Sequence, residues 1–246
     1  RLNSKDVSGY LLGKNNDKLK HIKLPAYITE KNKPVPEYLE DFYDDGLLDP
    51  TRLDWSAIKE AKEDLGSRGF AGQFSQTPTV EDGDIIKASW FPIISKSEFF
   101  HLKSRQQTIM HAFIDTAYTE KSENDPTGIH ISCRIGNQMY LVNRIKVRKT
   151  FPQLLKFLPD YLFSKDLNAY STVRIEPKAS GLSVIQQMRE STKLNIVEIP
   201  APTDSKKTRA YAASPKIEAG RVILVEDAWN KEFLEEVGGF PNADHD

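Results

Sequence analysis

The sequence predicts an α/β fold, in which a mixed five-stranded central sheet is flanked by helices and preceded by an N-terminal arm. Three observations predict it. From about residue 96, short runs rich in β-forming residues are interspersed with amphipathic helical segments. The first three strands follow one another without an intervening helix, so they should be antiparallel neighbours. The later strands each follow a helix, so they should return in parallel through right-handed crossovers.

Composition sets bounds on what the chain can be. Its 246 residues are 39% hydrophobic and carry a formal net charge of −1, so any surface for nucleic acid must be a local basic patch. The single cysteine, Cys133, rules out a disulfide framework within the chain and is expected in the core. No apolar stretch reaches membrane-spanning length. The abrupt start at Arg1 and the acidic end are typical of a piece of a longer protein.

Residues 1–95 are interpreted as an arm or linker, and residues 96–246 as the main domain. Proline and charged residues dominate much of 25–53, and Asp54–Gly66 is expected to be a helix capped by Asp54. The segment Gly9–Asn15 has a superficial likeness to a phosphate-binding loop. It has only three residues between its glycines and no Ser or Thr after Lys14, so that reading is rejected.

The main domain can be divided into elements from residue patterns. Helices are expected over Ser97–Gln107, Thr150–Phe163, Ser180–Glu190, Ser205–Ala213 and Ala228–Val237. The five principal strands are expected at His111–Tyr118, Gly128–Ile135, Gln138–Val147, Ser171–Glu176 and Leu194–Ile199. Gly220–Val225 is expected to be a further short strand, and Ser89–Ile94 an extended lead into the domain.

Two of these strands end in a carboxylate. Asp115 lies near the end of the first strand, and Glu176 ends the fourth. In α/β sheets the ligand crevice lies at the carboxyl ends of the central strands, where these two acids would meet if their strands were neighbours. Two adjacent carboxylates repel unless a cation holds them, and oxygen ligands favour magnesium or manganese. The pattern is typical of metal-dependent phosphoryl transfer.

These residues also allow other interpretations. Each acid could instead pair with a basic side chain or cap a turn. Zinc is disfavoured because the five histidines lack ligand spacing, and His111 and His130 are read as structural residues of strands. Lys206, Lys207 and Arg209 open a basic helix that would either contact a phosphate or simply face water.

At this point the sequence resembles the large terminase subunit of tailed bacteriophages, the DNA-packaging motor, over nearly its whole length. Six motifs in order carry the resemblance: RLNSKDVSGYLL with KLPA, FAGQFSQTP, IDTAY, IEPKASG, KKTRAYAASPKIEAGRV and FPNADHD. The last is similar to the family's Phe-Pro…His-Asp-Asp signature, but here the second Asp of that signature is missing.

The resemblance implies a C-terminal nuclease domain with the RNase H-like (retroviral integrase-like) fold, which would cut concatemeric double-stranded DNA with two Mg²⁺ or Mn²⁺ ions. It maps the catalytic metal ligands onto Asp115, Glu176 and Asp246, with Asp244 as the alternative third ligand. Asp125 would be an acid just outside the ligand set, and Lys206 and Arg209 are the candidates for contact with a phosphate. Residues 1–95 would come from the end of the ATPase region, without its ATP-binding motifs, so no ATPase activity is expected.

The same resemblance implies which partners the protein has and where it acts. The expected partners are double-stranded DNA, the phage portal protein, the small terminase subunit and further copies of the chain in the full motor, with no membrane involved. The place of action would be the host bacterial cytoplasm and, transiently, the portal of the procapsid. Two alternatives remain open: an RNase H-like junction resolvase, and a non-catalytic domain that docks to the portal or guides DNA.

Overall fold

The computed structural model describes residues 6–14, 18–78, 85–116, 126–176, 181–200 and 202–241. The helices are α1 (Val7–Leu12), α2 (Trp55–Gln73), α3 (Lys96–Arg105), α4 (Phe151–Ser164), α5 (Gly181–Ser191), α6 (Lys206–Glu218) and α7 (Trp229–Gly239). The strands are β1 (Ile93–Ile94), β2 (Met110–Asp115), β3 (Thr127–Ile135), β4 (Gln138–Val147), β5 (Thr172–Glu176), β6 (Asn195–Glu198) and β7 (Val222–Val225). The chain forms two compact units.

The first unit comprises residues 1–86, 210–219 and 240–246. Leu47, Ile58 and Phe70 form its small core, and Phe70 stacks on Phe74 with 5.1 Å between ring centroids. The Asp54 carboxylate caps α2 by accepting from the Ala57 amide at 2.8 Å, as the sequence predicted. The assignment of residues 1–95 to the end of an ATPase region stays a prediction.

Gly66 interrupts α2 at the position where the sequence predicted a helix end. It has φ 65° and ψ 170°, which is not a helical conformation and which is open to glycine but strained for other residues. The sequence did not predict that a second helical segment follows directly after this kink and continues to Gln73.

The second unit comprises residues 87–209 and 220–239 and contains the whole described sheet. Its strand order is β1-β7-β4-β3-β2-β5-β6. β2, β3 and β4 pair antiparallel, whereas β5 pairs with β2, β6 with β5, and β7 with β4 in parallel. The predicted α/β class and the mixed pairing are confirmed.

The predicted number of strands is wrong, because the described part of the chain forms seven strands rather than five. The two additions are β7, which pairs with β4, and β1, which pairs with β7. Their segments were recognised as a short strand and an extended lead, but four and two residues carry too little pattern to indicate a place in the sheet.

The two faces of the central strands have different surroundings. On one face, Ala112, Ile114, Val173 and Ile175 are buried in the same core as the apolar sides of α4 and α5. On the opposite face, α7 lies over β3 and β4, where its Phe233 approaches His130 and Arg144. Among the described helices, none is long and apolar enough to cross a membrane.

Candidate active site

Asp115 and Glu176 are direct partners across the parallel pair β2 and β5. The sequence brought the two acids together only on the condition that these strands are neighbours, and the register meets that condition: Ala112 lies opposite Val173, and each following pair continues in step. Strands in a sheet lie about 4.8 Å apart, so the backbones of the two acids are equally close. Both acids therefore lie at the carboxyl edge of the sheet, one strand apart.

Alternation along the strands explains why both acids lie on the accessible face. Ala112 and Ile114 are buried on the core side of β2, and Val173 and Ile175 are buried beside them on β5. The residue that follows each buried isoleucine must point to the opposite face, where a charge costs less. The Thr116 hydroxyl donates to the Glu176 carbonyl at 3.3 Å and ties the two strand ends together.

Gly128 flanks the acidic pair on the other side. It lies opposite Asp115 in β3, so Gly128, Asp115 and Glu176 occupy one row across three strands. A Cβ placed on Gly128 would meet no atom of the described residues within 4 Å. A glycine inside a strand often marks the close approach of a ligand or another backbone. Among the described residues, none fills the space that a side chain at Gly128 would take beside Asp115.

A second row lies two residues deeper on the same face and contains Phe113 and Arg174. They are register partners, and the Arg174 guanidinium lies 5.2 Å from the centroid of the Phe113 ring. One step further, His111 Nδ1 accepts from the Thr172 backbone amide at 3.2 Å. Burial, together with the charge of Arg174, lowers the pKa of His111. His111 is thus a neutral structural acceptor, as its strand pattern predicted.

The neighbouring part of this face is occupied by an ion-pair cluster beneath α7. Arg144, only 7% exposed, pairs with Glu236, and Lys146 bonds to Glu236 at 2.9 Å and to Glu232 at 3.0 Å. Burial lowers the pKa of His130 to about 4, and the charge of Arg144 acts in the same direction. His130 is therefore a neutral residue under α7, and its predicted structural role agrees with this setting.

The remaining predicted site residues differ in whether the structure describes them. Asp125, Asp244 and Asp246 lie outside the described residues. Lys206 and Arg209 are exposed in the first turn of α6, where the Arg209 amide donates to the Ser205 carbonyl at 3.0 Å. Within the described ranges, no group of three or more His, Cys, Asp or Glu residues could hold a metal ion. The ligand and phosphate-contacting roles of all these residues stay predictions.

Sequence reasoning missed Phe113, Arg174 and Gly128. The signal for the first two was present, because each stands two residues before one of the acids and so shares its face. Gly128 was read only as the start of a strand. Its place opposite Asp115 depends on the register between β2 and β3, which residue patterns did not specify.

Comparisons with known structures identify the fold. The chain is similar to the large terminase of the thermophilic bacteriophage D6E in complex with ADP, with 16% identity, coverage of 82% of this chain and 50% of that chain, and a TM-score of 0.54. For the same D6E protein with ATP-γ-S, identity is 14%, coverage 75% and 44%, and the TM-score 0.53. These identities show a shared fold, and the chain spans half or less of the D6E protein's length.

A third similar structure is the large terminase nuclease of thermophilic phage G20c with bound magnesium, at 12% identity, coverage of 65% and 82%, and a TM-score of 0.45. No curated protein matches the sequence. The model of the family described as the terminase RNaseH-like domain matches residues 112–246, more than half of the chain, and the chain therefore belongs to that family.

Proposed function

We propose that this chain contains the metal-dependent endonuclease domain of a viral DNA-packaging terminase, which cuts concatemeric double-stranded DNA during genome packaging. The observation that carries the proposal is the register pairing of Asp115 with Glu176 on an accessible sheet face, inside the region matched by the terminase RNaseH-like family. Two neighbouring carboxylates are costly to keep ionised together without a cation, so the pair suits a divalent ion.

The donor set fits Mg²⁺ or Mn²⁺. Asp115 and Glu176 offer hard carboxylate oxygens, and no thiolate competes, because Cys133 is 2% exposed and burial raises the pKa of its thiol to about 11. Asp246, or Asp244 in its place, would complete the ligand set. Two bound ions would supply a water of lowered pKa and stabilise charge on the phosphate and on the leaving 3′ oxygen.

The chain's own residues would bind and orient the DNA strand. Hydrolysis adds water across the P–O3′ bond: the water oxygen bonds to phosphorus, and the 3′ oxygen leaves and gains a proton. Gly128 would let the backbone of the DNA strand approach Asp115, since no atom of the described residues lies within 4 Å of a Cβ placed there. Lys206 and Arg209, exposed at the start of α6, are proposed to contact phosphates further along the strand, with Asp125 near the metal ligands.

The family also supports proposals about the assembly. We propose that residues 1–95 are an arm or linker from the end of an ATPase region, and that the domain works with the portal protein, the small terminase subunit and other copies of the chain. The site of action would be the bacterial cytoplasm, at the portal of the procapsid during packaging. The formal net charge of −1 indicates that such partners, rather than bulk attraction, would hold the domain on DNA.

Plasmid cleavage tests the proposal. Purified protein with Mg²⁺ or Mn²⁺ should nick and linearise supercoiled DNA, and Asp115→Ala and Glu176→Ala should each abolish cleavage without unfolding the domain. Asp160→Ala, which removes an exposed carboxylate from α4, is the matched control and should cut normally. Undiminished cutting by Asp115→Ala would refute the site.

Substrate choice separates the alternatives. Preference for branched DNA over linear duplex would indicate a junction resolvase, and preference for an RNA–DNA hybrid would indicate another RNase H-like enzyme. Binding to the portal protein without any metal-dependent cleavage would indicate a docking or DNA-guiding domain.

A further inference from the structure

Arg174 shares a sheet face with the acidic pair. It lies two residues before Glu176 in β5, a separation of about 6.6 Å along a strand, and its side chain leaves the same side of the sheet. Its register partner Phe113 lies two residues before Asp115 in the same way. The cation and the two acids therefore belong to one continuous surface formed by two adjacent strands.

The Phe113 ring supports the guanidinium group. The centre of the Arg174 guanidinium is 5.2 Å from the ring centroid, within the range of a cation–π contact. Phe113 is itself 39% exposed, which is unusual for a phenylalanine in a central strand. The arrangement keeps a cation and an aromatic ring at the surface, although burying the ring elsewhere would be more favourable for stability.

Arg174 differs from the other cations that share this face. Arg144 and Lys146, on β4, are neutralised by Glu236, and Lys146 also by Glu232. Among the described residues, no carboxylate forms an ion pair with Arg174. The positive charge of Arg174 acts on a neighbouring residue, because it contributes to the lowered pKa of His111. A guanidinium that forms no ion pair with a described carboxylate is available to bind an anion from outside the protein.

We propose that Arg174, supported by Phe113, binds a backbone phosphate of the DNA strand next to the phosphate that lies at Asp115 and Glu176. The inference rests on the proposed function, since it takes DNA as the ligand. A guanidinium donates two parallel hydrogen bonds to phosphate oxygens, which an ammonium cannot match. The phosphate contact positions the strand without reading its sequence.

Binding without metal tests this contact separately from cleavage. A fluorescently labelled DNA duplex is titrated with protein in EDTA, and anisotropy gives the Kd at several salt concentrations. Arg174→Gln should raise the Kd about tenfold, the size expected for one charged hydrogen-bonded contact. The slope of log K against log salt should fall by about one. Arg174→Lys should retain most of the salt slope but only part of the affinity.

The matched control is Arg134→Gln, which removes the same charge from an exposed position near the opposite end of β3. It should change the Kd by less than about twofold, as expected where no phosphate is bound. Equal Kd values and equal salt slopes for Arg174→Gln and Arg134→Gln would overturn the proposal. If Arg174→Gln fails to fold, Arg174→Lys decides: an affinity identical to that of the unaltered protein would also overturn it.

The two proposals can fail independently. Loss of affinity in Arg174→Gln, in a protein that never cleaves DNA, would support the phosphate contact and refute the nuclease. Cleavage that depends on Asp115, with DNA affinity indifferent to Arg174, would support the nuclease and refute the contact. Phe113→Leu adds a further readout, because loss of the aromatic support should lower affinity while leaving the salt slope unchanged.

Discussion

Asp115 and Glu176, 61 positions apart in the chain, lie side by side because β5 pairs in parallel with β2 and in register. Their positions in the register place two negative charges on one accessible face with a glycine beside them. A divalent cation that binds both carboxylates would bind the folded chain in preference to the unfolded chain and so stabilise it. The thermal stability of the domain should therefore depend on metal binding at Asp115 and Glu176, and it can be measured without an assay of cleavage.

Neutralising one member of the pair should change how the protein responds to metal. We expect Mn²⁺ to raise the Tm of the unaltered domain by several degrees, since an ion at a hundredfold excess over its Kd stabilises by about 2.7 kcal/mol. Asp115→Asn should abolish most of the Mn²⁺ response. Differential scanning fluorimetry measures the Tm with and without Mn²⁺, with Asp160→Asn as control. An unchanged Mn²⁺ response in Asp115→Asn would argue against metal binding by this carboxylate.

Filling the space above Gly128 should impair cleavage without impairing folding. Valine suits a strand, so Gly128→Val should leave the free energy of unfolding within about 1 kcal/mol or raise it. Its branched side chain would occupy the approach to Asp115, and we expect plasmid cleavage to fall by at least about tenfold, or 1.4 kcal/mol in the barrier. Gly128→Ala should have an intermediate effect. Full activity in the valine variant would show that DNA does not approach over β3.

The ion pairs that hold α7 should differ in their contribution to stability. Glu236→Ala leaves the buried Arg144 without its carboxylate, and removal of one partner of a buried pair can cost about 3–5 kcal/mol. Because the Glu236 side chain is 42% exposed, we expect about 1–3 kcal/mol, after allowing for solvent screening. Glu232→Ala removes only a bond to Lys146 and should cost less than about 1 kcal/mol. Urea denaturation measures the free energy of unfolding of both variants. Equal decreases in the two variants would contradict a larger contribution from the ion pair between Arg144 and Glu236.

Acid should destabilise the domain partly through His130. Its pKa is lowered to about 4 in the folded state and is about 6.5 when unfolded, so between these values the unfolded chain binds more protons. Stability should thus fall as the pH drops from about 6.5 to 4, by up to about 3 kcal/mol from this group. The free energy of unfolding, measured across that range, should depend less on pH in His130→Asn. Parallel pH profiles for the two proteins would show that His130 does not titrate in this way.

The fold was predictable to the extent that it depends on local pattern. The alternation in β3 and β4 and the helical period of α4 predicted those elements to within a residue at each end. The strand containing Asp115 begins at Met110, one residue before the prediction, and ends at Asp115, while residues 117 and 118 lie outside the described chain. The break of α2 at Gly66 was predicted as a helix end, but the helical segment that follows it was not, because a glycine is compatible with either an end or a bend.

The sequence by itself determined the class of the fold and the position of the two acids at strand ends. These depend on the two-residue period of a strand, which is present in every short segment. Only the tertiary structure decided that β7 and β1 extend the sheet, that Gly128 lies beside Asp115, and that Phe113 supports Arg174. Pairing and register between distant strands depend on which apolar faces are buried together, and that is a property of the whole packed core rather than of any one segment.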